Sequence, residues 1–257
     1  MITVGVDVGI ENVKAVALKD GQVLAQAMGL SGGASRGKSA EAIWHEAIEL
    51  GGFTPADIHK TVATGQGKFD VKIAADRIVE PVADARAARF LYPSARSVVD
   101  IGADQIRVIT LDDQGKITEV VMNVKCAAGL GIFLKSMARL LGMSIDEMSA
   151  LPAVTSQETA ASDSCCVFAE LDVIALVHNN TPKPQIVRAI NEAVATRINA
   201  VLNDKIPPDV NRTVLIGGVT RNAGVVSALK KRSGVDFLIP DKAQFAGALG
   251  AALIAVG

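Results

Sequence analysis

Two short stretches of this 257-residue chain repeat the same chemistry at the same spacing. VDVGIENVK (6–14) runs from an apolar strand through Asp7 and Gly9 to Lys14, and VDIGADQIR (99–107) runs through Asp100 and Gly102 to Arg107. The basic residue follows the aspartate by seven positions in both, and the copies lie 93 residues apart. A glycine just after a strand lets the backbone approach a phosphate, and a carboxylate at such a turn can hold Mg²⁺ through water. Two such turns facing one another across a cleft would clamp the phosphates of a nucleotide. Ile10 and Glu11 stand in the first turn where a phosphate cradle would want small residues and hydroxyls, and Glu11 brings negative charge toward the phosphate unless Lys14 or a metal offsets it. The third element of this kind is GGVTRN (217–222), a glycine pair between a strand and a helix that could admit a nucleoside against bare backbone.

The second chemistry is sulfur. Cys126 sits in NVKCAAGLGIFL and Cys165 in SDSCCVFAELD, each where a strand or loop gives way to a helix, with Cys166 next to the second. Free N–H groups and the positive dipole end at a helix N-terminus favour a thiolate. Iron–sulfur clusters take thiolate ligands, usually four. One chain offers two separated candidates and a neighbour, so a two-fold or pseudo-two-fold dimer would be needed to complete a set. Buried structural cysteines are the competing reading. Three cysteines in a chain of this size are not a disulfide framework. His45, His59 and His178 have no metal-ligand spacing, and Glu170 and Asp172 fit salt-bridge or solvated positions as well as coupling ones.

The elements that must position these groups alternate in type. Strands are expected over 2–9, 13–19, 22–28 and 59–65 and again across 97–121. Helices are expected over 40–50 with Ser39 as cap, 82–92, 127–142, about 162–178, 183–203, the RNAGVVSALKKRSG stretch and 245–256, and 213–219 reads as a buried strand ending in Gly-Gly. Ile186, Ile190, Val194 and Ile198 fall on one helical face. The repeated hairpins argue for two related halves, 1–93 and 94–257, with the helix at 243–256 packing back on the first. No linker separates them, so the halves are expected to interleave.

Composition narrows the partners. With 49% apolar and 21% charged residues the balance is that of a soluble globular protein. A net charge of −1 and 4% aromatics give no footprint for nucleic acid, and no apolar run is long enough for a membrane span, so a cytoplasmic location is expected.

In combination, KCAAGLGIFL, SCCVFAELD, ATGQGK (63–68), VVDIG (98–102), GGVTRN and GALGAAL (247–253) resemble the ATP-dependent activators of 2-hydroxyacyl-CoA dehydratases and the related ATPase subunits of benzoyl-CoA reductase, over essentially the whole chain. The resemblance implies an α/β, actin-like (ribonuclease H-like) ATPase fold with two related lobes around a nucleotide cleft. It implies a dimer holding one [4Fe-4S] cluster at the subunit interface, with Cys126 and Cys165 as ligands and no need for a cysteine at Cys166. It places catalytic residues at Asp7, Asp100, Asp104 and Gln105. Contacts to ATP or ADP and Mg²⁺ fall at Gly9, Ile10, Glu11, Asn12, Lys14, Gly102, Ala103, Arg107, Gly217, Gly218, Val219 and Asn222. It further implies electron transfer from ferredoxin or flavodoxin to a CoA-thioester reductase or dehydratase.

The family's first turn is close to D-x-G-S-T-x-x-K and its second to D-I-G-G-Q-D-x-K. This chain lacks the hydroxyl pair in the first and swaps Asp104 and Gln105 in the second. On those departures the benzoyl-CoA reductase side is expected, as one half of a heterodimer whose partner holds the better ATPase site. A homodimeric dehydratase activator is the alternative, and a kinase or nucleotide sensor of the same fold without a cluster is the competitor from another class.

Overall fold

The structure is a computed structural model and describes residues 1–123, 129–151, 159–202, 205 and 212–257. It divides into two compact units: residues 1–98 with 111–119 and 240–257, and residues 99–110 with 120–239.

The first unit is built on a five-stranded sheet. Strands β1 (Ile2–Val8), β2 (Asn12–Lys19) and β3 (Gln22–Leu30) form an antiparallel meander, followed by β4 (Lys60–Thr64) and β5 (Asp76–Arg77), in spatial order β3-β2-β1-β4-β5. β4 lies parallel to β1, with Asp7 opposite Thr64. The β1 run of Val4, Val6 and Val8 is fully buried, as expected of a strand covered on both faces. One cover is α1 (Arg36–Leu50), which buries Ala40, Ile43, Trp44, Ala47 and Ile48. The other comprises α2 (Glu80–Leu91) and α8 (Ala246–Val256).

Helix α8 shows why its sequence is so rich in alanine and glycine. A Cβ on Gly5 would lie 2.0 Å from the Ala248 carbonyl oxygen, and one on Gly250 would lie 1.8 Å from the Ala83 carbonyl oxygen. The helix therefore packs backbone to backbone on β1 and on α2, and Thr3 Oγ1 donates to the Ala252 carbonyl at 3.0 Å.

Helix α1 begins four residues before the expected start. Ser39 lies inside the helix, because a 3₁₀ turn over Gly33–Ser35 feeds straight into it. Gly37, an apparent helix breaker, sits where a Cβ would come 2.9 Å from the Asp70 carbonyl, so close approach accounts for it.

In the second sheet β6 (Ser97–Ile101), β7 (Ile106–Leu111), β8 (Ile117–Met122) and β9 (Thr213–Ile216) run in the order β8-β7-β6-β9. The second unit's helices are α3 (Leu130–Leu140), α4 (Ile145–Ala150), α5 (Cys166–His178), α6 (Lys183–Leu202) and α7 (Ala223–Ser233). On α6, Ile186, Ile190, Val194 and Ile198 are all buried, as their four-residue spacing predicts. Helix α4 is an addition to the expected elements. It is one and a half turns long and starts with a capping box, in which Glu147 N–H donates to Ser144 Oγ and Ser144 N–H donates to the Glu147 carboxylate.

Candidate functional site

Each hairpin turn is closed and charged in the same way. In the first, Gly9 N–H donates to the Asn12 carbonyl at 3.0 Å, and the antiparallel register sets Asp7 opposite Lys14. Lys14 Nζ donates to Asp7 Oδ2 at 3.0 Å, with both side chains 16% exposed. In the second, Gly102 N–H donates to the Gln105 carbonyl at 2.9 Å and Arg107 pairs with Asp100 Oδ2. Arg107 also donates to Gln105 Oε1 at 3.2 Å.

A further glycine backs each aspartate, and the two correspond. Gly65, just after β4, has φ +88°, and a Cβ there would lie 2.5 Å from the Val8 carbonyl oxygen and 2.6 Å from Asp7 Oδ1. Gly217, just after β9, has φ +98°, and its Cβ would lie 2.4 Å from the Ile101 carbonyl oxygen and 2.5 Å from Asp100 Oδ1. Both positions demand left-handed backbone and bare approach, which only glycine supplies. The repeated unit is therefore larger than a hairpin. It is two antiparallel strands with an Asp-cation pair, plus a neighbouring strand whose terminal glycine presses on that aspartate.

The surroundings differ. Beside the first turn, Gly247 of α8 comes close to Asp7, such that a Cβ would be 3.3 Å from the carboxylate carbon. The loop after Gly65 folds back, with Gly67 N–H donating to the Val8 carbonyl at 2.9 Å and Lys68 Nζ donating to the Gly65 carbonyl at 3.2 Å. ATGQGK is thus part of this turn's wall, a placement that needs the parallel β1–β4 register and is not visible in the local sequence. The second turn is walled by α3. A Cβ on Gly129 would lie 1.9 Å from Asp104 Cα, one on Gly131 would lie 2.8 Å from Ala103 Cα, and Ile132 N–H donates to the Ala103 carbonyl at 3.0 Å.

Among the residues expected to contact nucleoside, Gly218 meets nothing within 4 Å of a would-be Cβ and leaves open space. Val219 is buried in the core of the second unit. Asn222 caps α7, accepting from Val225 N–H at 3.1 Å, and donates to Asn191 Oδ1 at 3.4 Å.

The sulfur element is described at one end. Cys126 lies outside the described residues. Cys165 is the N-cap residue of α5 and half-buried, and its thiol is pushed below its ordinary pKa by the N–H groups of Phe168 and then Val167, with Arg197 adding a smaller effect against the opposing effect of burial. Cys166, by contrast, is buried in the core and receives a hydrogen bond from Arg197 Nη1 at 3.1 Å. Adjacent residues of the same type thus have different environments, one at the open start of a helix and one packed inward. Val167, Phe168 and Leu171 leave an exposed apolar face beside Cys165. Asp172 turns back to accept the Ser162 N–H at 2.8 Å, so it braces the cysteine loop. His45 packs edge-on against Trp44, and among the described residues no group of three or more His, Cys, Asp or Glu side chains is placed to hold a metal.

Comparison with known proteins adds to this geometry. The model of the BadF/BadG/BcrA/BcrD ATPase family matches residues 4–255. The activator of lactoyl-CoA dehydratase from Anaerotignum propionicum is 39% identical, over 99% of this chain and 97% of its own. The 2-hydroxyisocaproyl-CoA dehydratase activator of Clostridioides difficile is 35% identical, over 99% and 95%. One of the benzoyl-CoA reductase subunits of Thauera aromatica is 31% identical, over 98% and 92%. Among solved structures, the activator of the 2-hydroxyisocaproyl-CoA dehydratase from Clostridium difficile with bound ADPNP superposes with a TM-score of 0.89 at 33% identity, covering 99% of this chain and 94% of that one. Component A of the Acidaminococcus fermentans (R)-2-hydroxyglutaryl-CoA dehydratase gives 0.88 at 35%, covering 99% and 97%. A glucokinase from Streptomyces griseus, at 13% identity with a TM-score of 0.58 over 100% and 99% of the chains, shares the fold alone. The fold is the actin-like ATPase fold of the sugar-kinase, Hsp70 and actin superfamily.

Proposed function

The chain belongs to the BadF/BadG/BcrA/BcrD ATPase family, and on that premise we propose that it is an ATP-dependent activator that delivers a low-potential electron to a 2-hydroxyacyl-CoA dehydratase. The observation that carries the reading is Cys165, held as the N-cap of α5 with two backbone N–H groups favouring its thiolate. A kinase or nucleotide sensor of this fold has no use for such a thiolate, and this observation therefore argues against those alternatives.

In this reading Cys165 and Cys126 are the thiolates that this chain gives to a [4Fe-4S] cluster, and a second copy gives the other two. The donor chemistry at Cys165 fits, since its thiolate is favoured at a helix start and exposed apolar residues flank it. When bound, the cluster supplies one-electron transfer, received from ferredoxin or flavodoxin. The chain's own work lies at the turns. Asp7 and Asp100, each in its own turn, would hold Mg²⁺ through water, Gly9 and Gly102 would let backbone approach phosphate, and Lys14 and Arg107 keep each aspartate compensated and oriented. Asp104 and Gln105, in the second turn, position the attacking water. Lowering a donor's potential takes free energy, about 59 mV for each tenfold shift of a one-electron equilibrium, and ATP hydrolysis would supply it.

The benzoyl-CoA reductase reading, expected first on the altered turns, stands second. It is favoured by the 31% identical reductase chain, while the dehydratase activators reach 35–39% over nearly full length. The aspartate, glycine and cation of both turns share one geometry, while Ile10, Glu11 and the order of Asp104 and Gln105 are the departures on which the heterodimer reading rests.

The test is reconstitution. The anaerobically prepared chain is mixed with a reductant, ATP and either a 2-hydroxyacyl-CoA dehydratase component or benzoyl-CoA reductase catalytic subunits. Dehydration of the 2-hydroxyacyl thioester that stops without ATP supports the activator reading. Activity only with the benzoyl-CoA subunits promotes the second, and activity with neither removes both.

A further inference from the structure

Arg197, on α6, lies in neither nucleotide turn and is not a candidate ligand, yet it touches three elements at once. Its Nε donates to the Asp163 carbonyl at 2.8 Å and its Nη2 to the Ser162 carbonyl at 2.7 Å, so the guanidinium fork grips the loop that delivers Cys165. Nη1 donates to Cys166 Sγ at 3.1 Å, fixing the first residue of α5. The guanidinium carbon lies 5.1 Å from the centre of the Phe133 ring on α3. Phe133 follows Ile132, whose N–H is bonded to the Ala103 carbonyl of the second hairpin turn. The contacts therefore run without a gap from turn 102–105, through the first turn of α3, through one guanidinium, to the loop carbonyls before Cys165 and the Cys166 sulfur after it.

We propose that Arg197 is the positioning residue through which the state of turn 102–105 reaches the Cys165 loop. The proposal rests on the reading of that turn as a nucleotide contact. A planar fork with donors on three nitrogens suits this place, because it can satisfy two carbonyls and a sulfur while its face lies on an aromatic ring. Lysine has one point charge and no face to stack. The tie is also short. Gly129 and Gly131 leave no side-chain cushion between turn and helix, so a shift of the Ala103 backbone must move α3 rather than be absorbed by rotamers. Helix α6 is itself anchored toward the other nucleotide element, where Asn191 accepts from Asn222. At its start, Arg188 holds the Thr159 carbonyl at 2.6 Å, which pins the far end of the same cysteine loop.

The experiment is hydrogen–deuterium exchange on the full chain, with and without ADPNP and Mg²⁺, for wild type, Arg197→Lys and Arg197→Met. Thermal midpoints and ADPNP affinity of each variant are measured alongside. In wild type, ADPNP is expected to slow exchange severalfold both in the peptide covering 102–105 and in that covering 162–168. In Arg197→Met the first response stays and the second is lost; in Arg197→Lys the second is reduced. A 162–168 response unchanged in Arg197→Met overturns the role of Arg197, and so does a wild-type response confined to 102–105. Absence of any response at 102–105 in wild type instead removes the nucleotide reading on which the proposal stands. A Met variant that fails to fold leaves the decision to the Lys variant, in which a full 162–168 response likewise overturns the proposal.

Discussion

The two hairpin turns are built alike and connected differently. Each has an aspartate paired to a cation seven residues on, a glycine N–H closing the turn, and a left-handed glycine from a neighbouring strand pressed on the aspartate. The first turn is walled by the loop after Gly65 and by the small-residue helix α8, which packs on β1, β2, β4 and α2. The second is walled by α3, and α3 leads through Phe133 and Arg197 to the cysteine loop. On the proposed reading of these turns as phosphate contacts, a repeated element acquires two jobs without changing its own chemistry: what it leans on decides whether it anchors or signals.

The strongest way to break the likeness is to attack the glycines behind the aspartates. Gly65→Ala and Gly217→Ala should each lower the thermal midpoint sharply or prevent folding, since a left-handed non-glycine costs about 1–3 kcal/mol before any clash is counted. Gly218→Ala, next door but facing open space, should leave the midpoint nearly unchanged. Equal tolerance of Gly217→Ala and Gly218→Ala would remove the proposed equivalence of Gly65 and Gly217.

The cation swap comes next. Removing one member of a buried ion pair costs roughly 3–5 kcal/mol, whereas exposed pairs contribute little. Asp100 is the more enclosed carboxylate, 9% exposed against 16% for Asp7, so Arg107→Met should cost more than Lys14→Met by denaturant unfolding. The reverse order would show that the second turn is the looser one.

Gly131→Ala sets two effects against each other. Alanine is favoured over glycine in a helix, by less in this first turn of α3 than the about 1 kcal/mol of a helix interior, but its Cβ would sit 2.8 Å from Ala103 Cα. Net destabilisation is the expected result, because the atom met is backbone. Net stabilisation would mean that α3 can lift from the turn freely, and the signalling contrast between the turns would fail.

A smaller effect distinguishes the cysteines. In cluster-free protein, iodoacetamide should alkylate Cys165 with a midpoint below the ordinary thiol value of about 8.5, because N–H groups stabilise its thiolate. The sign follows directly: the folded chain releases this proton at lower pH than the unfolded one, so folding is favoured by this group above the unfolded value and loses that contribution as pH falls through the folded one. Cys166, buried in the core, should react slowly across the range.

Much of this is legible without the structure. The Asp-x-Gly…cation spacing marks both hairpins, and the four-residue apolar spacing marks α6. Cys165 falls at a helix start because a polar Ser-Asp-Ser run gives way to an apolar stretch. What stays hidden depends on distant pairing. The equivalence of Gly65 and Gly217 exists only once β4 lies beside β1 and β9 beside β6. Arg197 reaches a loop more than thirty residues away in sequence, and nothing local distinguishes it from a solvated helical arginine. Ser39 has the residue type of a cap but lies within α1, because the 3₁₀ turn before Arg36 supplies the start without one. No helix among the described residues is long and apolar enough to cross a membrane.

The most direct measurement is an iron and acid-labile sulfide count on anaerobically prepared chain, with an absorption spectrum before and after dithionite. About four irons per two chains, bleached by dithionite and lost in Cys165→Ala but kept in Cys166→Ala, is the predicted result. A colourless protein after careful reconstitution, folded and still binding ADPNP, would contradict the electron-carrier account.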